Sequence, residues 1–129
     1  MYWDDTYYRA YAGSWSGGCA DGGANASPPG GTYSNSMDSW MVYGPFSLSD
    51  ATAAILSFRY WLVSEIGFDY FKFLASTNGV NFYGYQTSGN SLGWQSGSLD
   101  LTAVPTLGNV TGQPQVWFAF VFTTHTSVV

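Results

Sequence analysis

The chain has 129 residues, of which 9% are charged and 19% are aromatic, and its formal net charge is −5. This length fits a single domain, residues 1–129, that can bury a core without disulfide bonds. The only lysines and arginines are Arg9, Arg59 and Lys72, too few to neutralise a phosphate backbone, so nucleic acid is disfavoured as a partner. No apolar run approaches the roughly 20 residues of a membrane helix, so we expect no membrane span.

The cysteine content and the N-terminus bear on the compartment. Cys19 is the single cysteine, which excludes an intrachain disulfide and a thiolate metal cluster. The first residues lack a basic segment followed by an apolar one, so no signal peptide is predicted. With few charges, the surface relies on Ser, Thr, Asn, Gln and Gly, as in many extracellular β proteins. We therefore expect an extracellular or cell-surface protein, present here as a mature or excised fragment with Met1 added.

The first part of the chain is predicted to hold a strand, a long loop and a second strand. Residues 1–12 are rich in Tyr and partly alternating, which predicts a first strand. Residues 13–36 are rich in Gly, Ser, Pro and Asn and show no periodicity, which predicts a surface loop. Loops of this length are unusual inside a compact domain, so this one is either a binding loop or a loop without a role. Extended character returns at Met37–Val42.

Two aromatic-rich runs, residues 54–69 and 70–82, form the centre of the predicted fold, and we expect them to pair as its central hairpin. Side chains alternate between the two faces of a strand. One face of each run is apolar and is predicted to face the core: Leu56, Phe58, Tyr60 and Leu62 in the first run, and Phe71, Phe73 and Ala75 in the second. The opposite faces carry the charged residues.

The second half of the chain adds further strand signals. Asn78-Gly79 lies between two β-prone runs and predicts a tight turn joining Phe71–Ala75 to Val80–Gln86. Leu99–Leu101 is a short strand candidate. Val116–Phe122 is apolar on both faces, which predicts a central strand covered on both sides. Because no segment has a helical period, we predict an all-β, antiparallel sandwich.

Several motifs resemble a known family in their order along the chain: M-x-S from Met37, G-P-F-S-L-S from Gly44, A-x-L-x-F-x-Y-W-L-x-S-E from Ala54, D-Y-F-K-F-L-A-S-T-N-G from Asp69, and V-W-F-A-F-V-F from Val116. This order resembles the jelly-roll, MAM-like domains appended to secreted bacterial peptidases of the immune inhibitor A type. The resemblance covers about residues 8–122 and implies a jelly-roll sandwich with an extracellular accessory role. Because these motifs consist mainly of core and turn residues, they point to a fold more than to an activity.

Domains of this kind usually close with a further strand, often G-x-x-(I/V)-D-D-(I/V), whereas this chain stops at HTSVV. The resemblance therefore implies a jelly roll that lacks its last strand and has an open sheet edge. One expectation is that a second chain supplies the strand and creates a homo-oligomer. The other is that residues 123–129 fill the gap in a truncated fragment.

Catalysis is not predicted. The only histidine, His125, lies four residues from the end of the sequence, and a base in a relay must be held rigidly between a nucleophile and a carboxylate. We expect the end of the chain to fray, so that His125 is not held rigidly. Cys19 lies in a Gly-rich stretch without a cationic neighbour to stabilise a thiolate. The protein is therefore predicted not to be an enzyme.

Carboxylates are the candidate metal ligands. Glu65 and Asp69 flank a short turn, and Asp4 and Asp5 lie near the N-terminus. Oxygen-rich sites suit calcium rather than zinc, so Ca²⁺ is the cofactor considered, although none is required. The alternative, which we favour, is that Glu65 and Asp69 pair with Arg9 or Arg59 or cap loop N–H groups.

Aromatic side chains beside cations form the candidate ligand site. In the predicted central hairpin, Trp61 and Tyr70 share a sheet face with Arg59 and Lys72. A row of aromatic rings flanked by polar groups is a way to stack on sugar rings. The alternative is ordinary packing between sheets, because a sandwich must fill two inner faces.

Together these features predict a non-catalytic, secreted binding module that recognises a polysaccharide or a protein partner. Two alternatives remain open. One is a structural subunit that self-assembles by strand donation, and the other is an accessory domain of a secreted protease.

Overall fold

The computed structural model describes residues 2–6, 16–22 and 38–125. These residues form eight strands: β1 (Tyr2–Thr6), β2 (Ser16–Gly22), β3 (Asp38–Phe46), β4 (Ile55–Tyr60), β5 (Tyr70–Ser76), β6 (Tyr83–Thr87), β7 (Gln95–Asp100) and β8 (Val116–Thr123). In these three ranges no helix is long and apolar enough to cross a membrane.

All strand pairs are antiparallel. The larger sheet has the order β3-β8-β5-β6, a smaller sheet pairs β4 with β7, and β1 pairs with β2. The inner faces of the larger sheet and the β4–β7 sheet contribute to the same apolar clusters. The predicted all-β, antiparallel sandwich is confirmed, while its jelly-roll connectivity and the missing last strand remain predictions.

The predicted central hairpin is wrong. β4 pairs with β7, and β5 pairs with β6 and β8, so the two aromatic-rich runs lie in different sheets. The intervening residues do not reverse the chain within a sheet. They cross from one layer of the sandwich to the other, and Val63 forms an isolated bridge with Asn90 on the way. Both runs are aromatic because each one faces the same core from an opposite side.

The predicted side-chain alternation is confirmed in both runs. Along β4, Leu56, Phe58 and Tyr60 point toward the core, while the side chains between them are exposed. Phe58 inserts its ring among the aromatic side chains of the larger sheet, with centroid separations of 5.9 Å to Phe71, 5.1 Å to Phe73 and 4.8 Å to Phe120. Edge-to-face rings at these distances are favourable contacts.

Gly97 makes room for the Phe58 ring. The two residues are directly opposite each other in the β4–β7 pairing, and a Cβ atom at position 97 would collide with the ring. Because Gly97 has no side chain, the Phe58 ring can lie over β7 and still reach the larger sheet.

β8 is a central strand of the larger sheet, as predicted, because it lies between β3 and β5. Val116 and Phe122 are buried on its inner face, and Ala119 and Val121 are buried on its outer face. Because both faces of β8 are buried, apolar residues do not alternate with polar ones along this run.

The hairpin of β5 and β6 is confirmed, but its connection is longer than the predicted tight turn. Residues 77–82 link the strands, and side chains rather than a two-residue turn organise them. Ser76 Oγ accepts hydrogen bonds from the N–H groups of Asn78 and Gly79, and Asn78 Oδ1 accepts from those of Val80 and Asn81. Within residues 77–82, only Gly79 has a positive φ, +74°.

The predictions for the N-terminal region need one correction. β1 falls within the predicted first strand, whereas β2 lies inside the stretch that was expected to be a loop. Gly17 and Gly18 of β2 pair with Asp5 and Asp4 of β1. Backbone hydrogen bonds alone are enough to form such a strand. The amino-acid composition of residues 16–22 therefore did not predict it. The rest of the predicted strand and loop, residues 1, 7–15 and 23–36, lies outside the described residues, as does Met37 of the next predicted strand.

Candidate functional site

Two connections meet at one end of the sandwich, and we call them together the loop end: residues 61–69, between β4 and β5, and residues 88–94, between β6 and β7. Backbone hydrogen bonds join them, from Ser64 N to Gly89 O at 3.0 Å and from Ser91 N to Leu62 O at 2.8 Å. Ser91 Oγ accepts from Leu62 N at 2.9 Å, and Ser64 Oγ accepts from Gly89 N at 2.9 Å. These bonds fix the two connections relative to each other.

The segment 65–69 forms a single turn. Glu65 O accepts from Asp69 N at 2.9 Å and from Phe68 N at 3.1 Å. Gly67 has a φ of +80° and donates its N–H to Ser88 Oγ at 3.0 Å. The turn brings the carboxylates of Glu65 and Asp69 to the same side, because residues four apart in such a turn are neighbours.

His125 completes a cluster with these two carboxylates. It follows the end of β8, where its backbone N–H donates to Asp69 Oδ1 at 3.0 Å. Its Nδ1 lies 2.7 Å from the same oxygen, and its Nε2 lies 3.4 Å from Glu65 Oε2. Asp69 is only 3% exposed, whereas the side chain of Glu65 is half exposed. We call Glu65, Asp69 and His125 the histidine cluster.

The carboxylates perturb the imidazole. The hydrogen bond from His125 to Asp69 raises the pKa of His125 above its ordinary value. Desolvation, the next largest effect, opposes this rise in pKa, and the negative charges of Glu65 and Asp69 add to it. Asp69 also selects the tautomer of the neutral ring, since a carboxylate can only accept at Nδ1. The neutral imidazole therefore presents its Nε2 lone pair toward Glu65.

Beside the histidine cluster, the loop end exposes apolar side chains that we call the apolar patch: Trp61, Val63, Ile66, Phe68 and Leu92. Leu92 is 86% exposed and Ile66 is 76% exposed. The rings of Phe68 and His125 are 5.2 Å apart. Trp61 packs edge-to-face against Trp94, with centroids 5.8 Å apart.

The four predicted ligand-binding residues do not come together. Arg59 and Trp61 belong to the outward side of the β4 run, whereas Tyr70 and Lys72 lie on the outer face of the larger sheet. Because the inner faces of these sheets pack on each other, the two pairs lie on opposite faces of the sandwich. Arg59 Nη1 donates a hydrogen bond to Ser96 Oγ. Of the four residues, Trp61 is the one that lies at the loop end.

The structure revises the expectation for His125. The sequence predicted a fraying histidine, but Asp69 accepts from both its backbone and its ring. Within the described residues, Glu65 and Asp69 pair with His125, and Asp69 accepts a backbone N–H, as one of the favoured alternatives expected; their pairing with arginine stays a prediction. Arg9 lies outside these residues. Cys19 lies in β2, and Asp4 and Asp5 lie in β1.

The four-residue spacing of Glu65 and Asp69 was the available signal for this cluster, but nothing local indicated its third member. His125 lies 56 positions from Asp69, and only the pairing of β8 with β5 brings them together.

The comparisons with known proteins give no family assignment. No protein-family model matches the chain, and no curated protein matches it either.

Proposed function

We propose that this protein is a non-catalytic binding module of a secreted protein, and that it binds a protein partner through the loop end. The observation that carries this proposal is the apolar patch, in which two loops fixed to each other by hydrogen bonds expose Leu92, Ile66 and their neighbours. Concentrated exposed apolar side chains on a soluble protein mark interaction sites.

The chemistry of the patch favours a protein partner. Val63, Ile66 and Leu92 are aliphatic, so they gain most when apolar surface of a partner removes them from water, at roughly 25 cal/mol per Å². The core of a protein interface offers such a surface. The hydrogen bonds between the two loops limit the conformational entropy that would be lost on binding.

The absence of catalysis is supported by the environment of His125. Its Nε2, the atom that would accept a proton from a nucleophile, faces the Glu65 carboxylate. A hydrolytic relay needs a hydroxyl or thiol in that place. A secreted, accessory role is supported by the low charge content and by the resemblance of the motifs to MAM-like domains.

A carbohydrate is the second candidate ligand, and the Trp61–Trp94 pair favours it. Trp61 is 38% exposed, and an indole ring held edge-on by another can present a flat face to a sugar. Nearby polar groups can exchange hydrogen bonds with the hydroxyls of a sugar. One of them is Gln95, whose Nε2 donates a hydrogen bond to Ser91 O at 3.1 Å.

Site-specific photo-crosslinking tests the protein-binding proposal. A photoreactive amino acid at position 92 is compared with one at position 80, since Val80 is also exposed but lies outside the loop end. The chain is incubated with the culture medium of its source organism and irradiated. We expect a discrete crosslinked protein from position 92 only, and its loss in the presence of excess unlabelled wild type. Equal products from both positions would contradict the proposal.

The two candidates are separated by retention on insoluble cellulose, chitin and peptidoglycan. The protein-binding proposal predicts no specific retention. Retention that is lost in Trp61→Ala and kept in Val80→Ser would instead support the carbohydrate.

A further inference from the structure

We propose that the histidine cluster is a binding site for a divalent transition-metal ion of the zinc class, with His125 Nε2 and Glu65 Oε2 as ligands and Asp69 as the residue that positions the histidine. This inference is independent of the protein-binding proposal. It follows from the donor set, from the spacing of the atoms and from the orientation of the imidazole.

The spacing of the two ligand atoms fits a tetrahedral ion. Zinc binds histidine nitrogen and carboxylate oxygen at about 2.0–2.1 Å. Two such atoms at the tetrahedral angle are separated by about 3.4 Å. The distance from His125 Nε2 to Glu65 Oε2 is 3.4 Å, so an ion fits between them with little movement. The donor atoms of all three residues lie within 4.8 Å of one another.

Asp69 provides the support that a ligating histidine requires. Histidines that bind metals usually donate their second ring N–H to a carboxylate or a carbonyl, which fixes the ring and increases the basicity of the ligand. Here that contact is the 2.7 Å approach of His125 Nδ1 to Asp69 Oδ1. Asp69 is buried, and it also accepts the backbone N–H of His125. The ring is therefore held with Nε2 directed toward Glu65.

The donors select the class of ion. One imidazole nitrogen and one carboxylate favour zinc and its neighbours over calcium, which prefers six to eight oxygen ligands. The calcium considered from the carboxylates alone thus gives way to an ion that uses His125. The remaining ligands would be water or a donor from another molecule, which can reach the site because the side chain of Glu65 is half exposed.

Binding would connect two distant parts of the chain. Glu65 belongs to the turn that carries Ile66 and Phe68, whereas His125 follows the end of β8. An ion shared by the two would hold the end of β8 to the loop end. We therefore expect the ion to raise the unfolding temperature, because a ligand that binds only the folded state stabilises it.

Isothermal titration calorimetry of the tag-free, metal-stripped chain with zinc chloride at neutral pH tests the site. We expect one ion per chain, a loss of affinity of about tenfold or more in Glu65→Gln and His125→Gln, and a loss of about 10- to 100-fold in Asp69→Asn. Asp100→Asn, which removes an exposed carboxylate elsewhere, should bind as the wild type does. Calcium in excess should not compete.

The absorption spectrum of the cobalt-loaded chain gives a second readout, since tetrahedral coordination with a nitrogen ligand produces intense visible bands. These bands should be missing in Glu65→Gln. Because this side chain is half exposed, we expect the change to leave the fold intact. Absence of saturable binding, or equal affinity of the wild type and Glu65→Gln, would overturn the proposal.

Discussion

The buried carboxylate of Asp69 accepts two hydrogen bonds from His125, one from the backbone N–H at 3.0 Å and one from Nδ1 at 2.7 Å. Through a single oxygen atom, Oδ1, these hydrogen bonds connect the end of β8 to the turn at residues 65–69. Hydrogen bonds to charged groups contribute more to stability than those between neutral groups.

Asp69→Ala should therefore lower the free energy of unfolding by about 2–4 kcal/mol, because it removes both bonds and leaves the His125 N–H without this acceptor. Urea denaturation of the metal-free chain measures the change. Asp50→Ala, at an exposed position, serves as the control. If Asp69→Ala unfolds at the same urea concentration as this control, the proposed role of Asp69 is wrong.

The raised pKa of His125 makes stability depend on pH. The protonated ring is favoured in the folded state by the hydrogen bond to Asp69. This contribution is fully present below the ordinary histidine value of 6.5, and it is lost as the pH rises through the higher folded-state pKa. The metal-free chain should thus lose stability as the pH rises through this window.

Because His125 is the only histidine, an NMR titration assigns its pKa without ambiguity. We expect a midpoint above 6.5 in the wild type and a lower midpoint in Asp69→Asn. Equal midpoints in the two proteins would show that Asp69 is not the cause.

Trp117 packs against Gly79, and this contact predicts a difference between two glycines. A Cβ at position 79 would lie 3.0 Å from the indole ring, whereas one at position 108 would meet no atom within 4 Å. Their φ angles are nearly equal, +74° and +72°. Both alanine variants should therefore lose about 1–2 kcal/mol to the left-handed backbone conformation.

Gly79→Ala should lose about 1 kcal/mol more, because the ring must shift. Thermal or urea unfolding of both variants measures this excess, and Trp117→Leu should remove it. Equal destabilisation of the two variants in the wild-type background would refute the packing argument.

Truncating a side chain should reduce stability much more on the inner face of the β4–β7 sheet than on its outer face. Leu99 is fully buried in the core, whereas Ile55 is 64% exposed. Leu99→Ala should cost about 2–5 kcal/mol, and Ile55→Ala should change stability by about 0.5 kcal/mol or less. Similar losses in denaturant unfolding would mean that the assignment of the two faces is wrong.

Local pattern was enough to predict which side of β4 and of β5 is buried, since the alternation of Leu56, Phe58 and Tyr60 directly reflects a sheet with one inner face. Strand pairing was not predictable in the same way. Nothing near β4 indicates that its partner is β7 rather than β5, because each run only shows that one of its faces meets a core. The long connection through residues 61–69 was the feature that opposed a simple hairpin.

The candidate site was only partly predictable for a related reason. Glu65 and Asp69 were recognisable from their spacing, and Trp61 from its place on the outer side of an apolar run. His125 entered the site through the path of β8, which sequence spacing does not reveal. The structure does not bring Trp61 and Arg59 together with Tyr70 and Lys72, because the two runs that carry them lie in different sheets.

The central claim is that the loop end is the surface on which this protein binds a protein partner. It is tested most directly by selecting random peptides displayed on phage against the immobilised chain. Each enriched peptide is then assayed on the double variant Ile66→Ser/Leu92→Ser and on Val80→Ser, whose side chain is comparably exposed outside the patch. We predict that most peptides lose binding to the double variant and keep it on Val80→Ser. Peptides that bind both variants as they bind the wild type would contradict the claim.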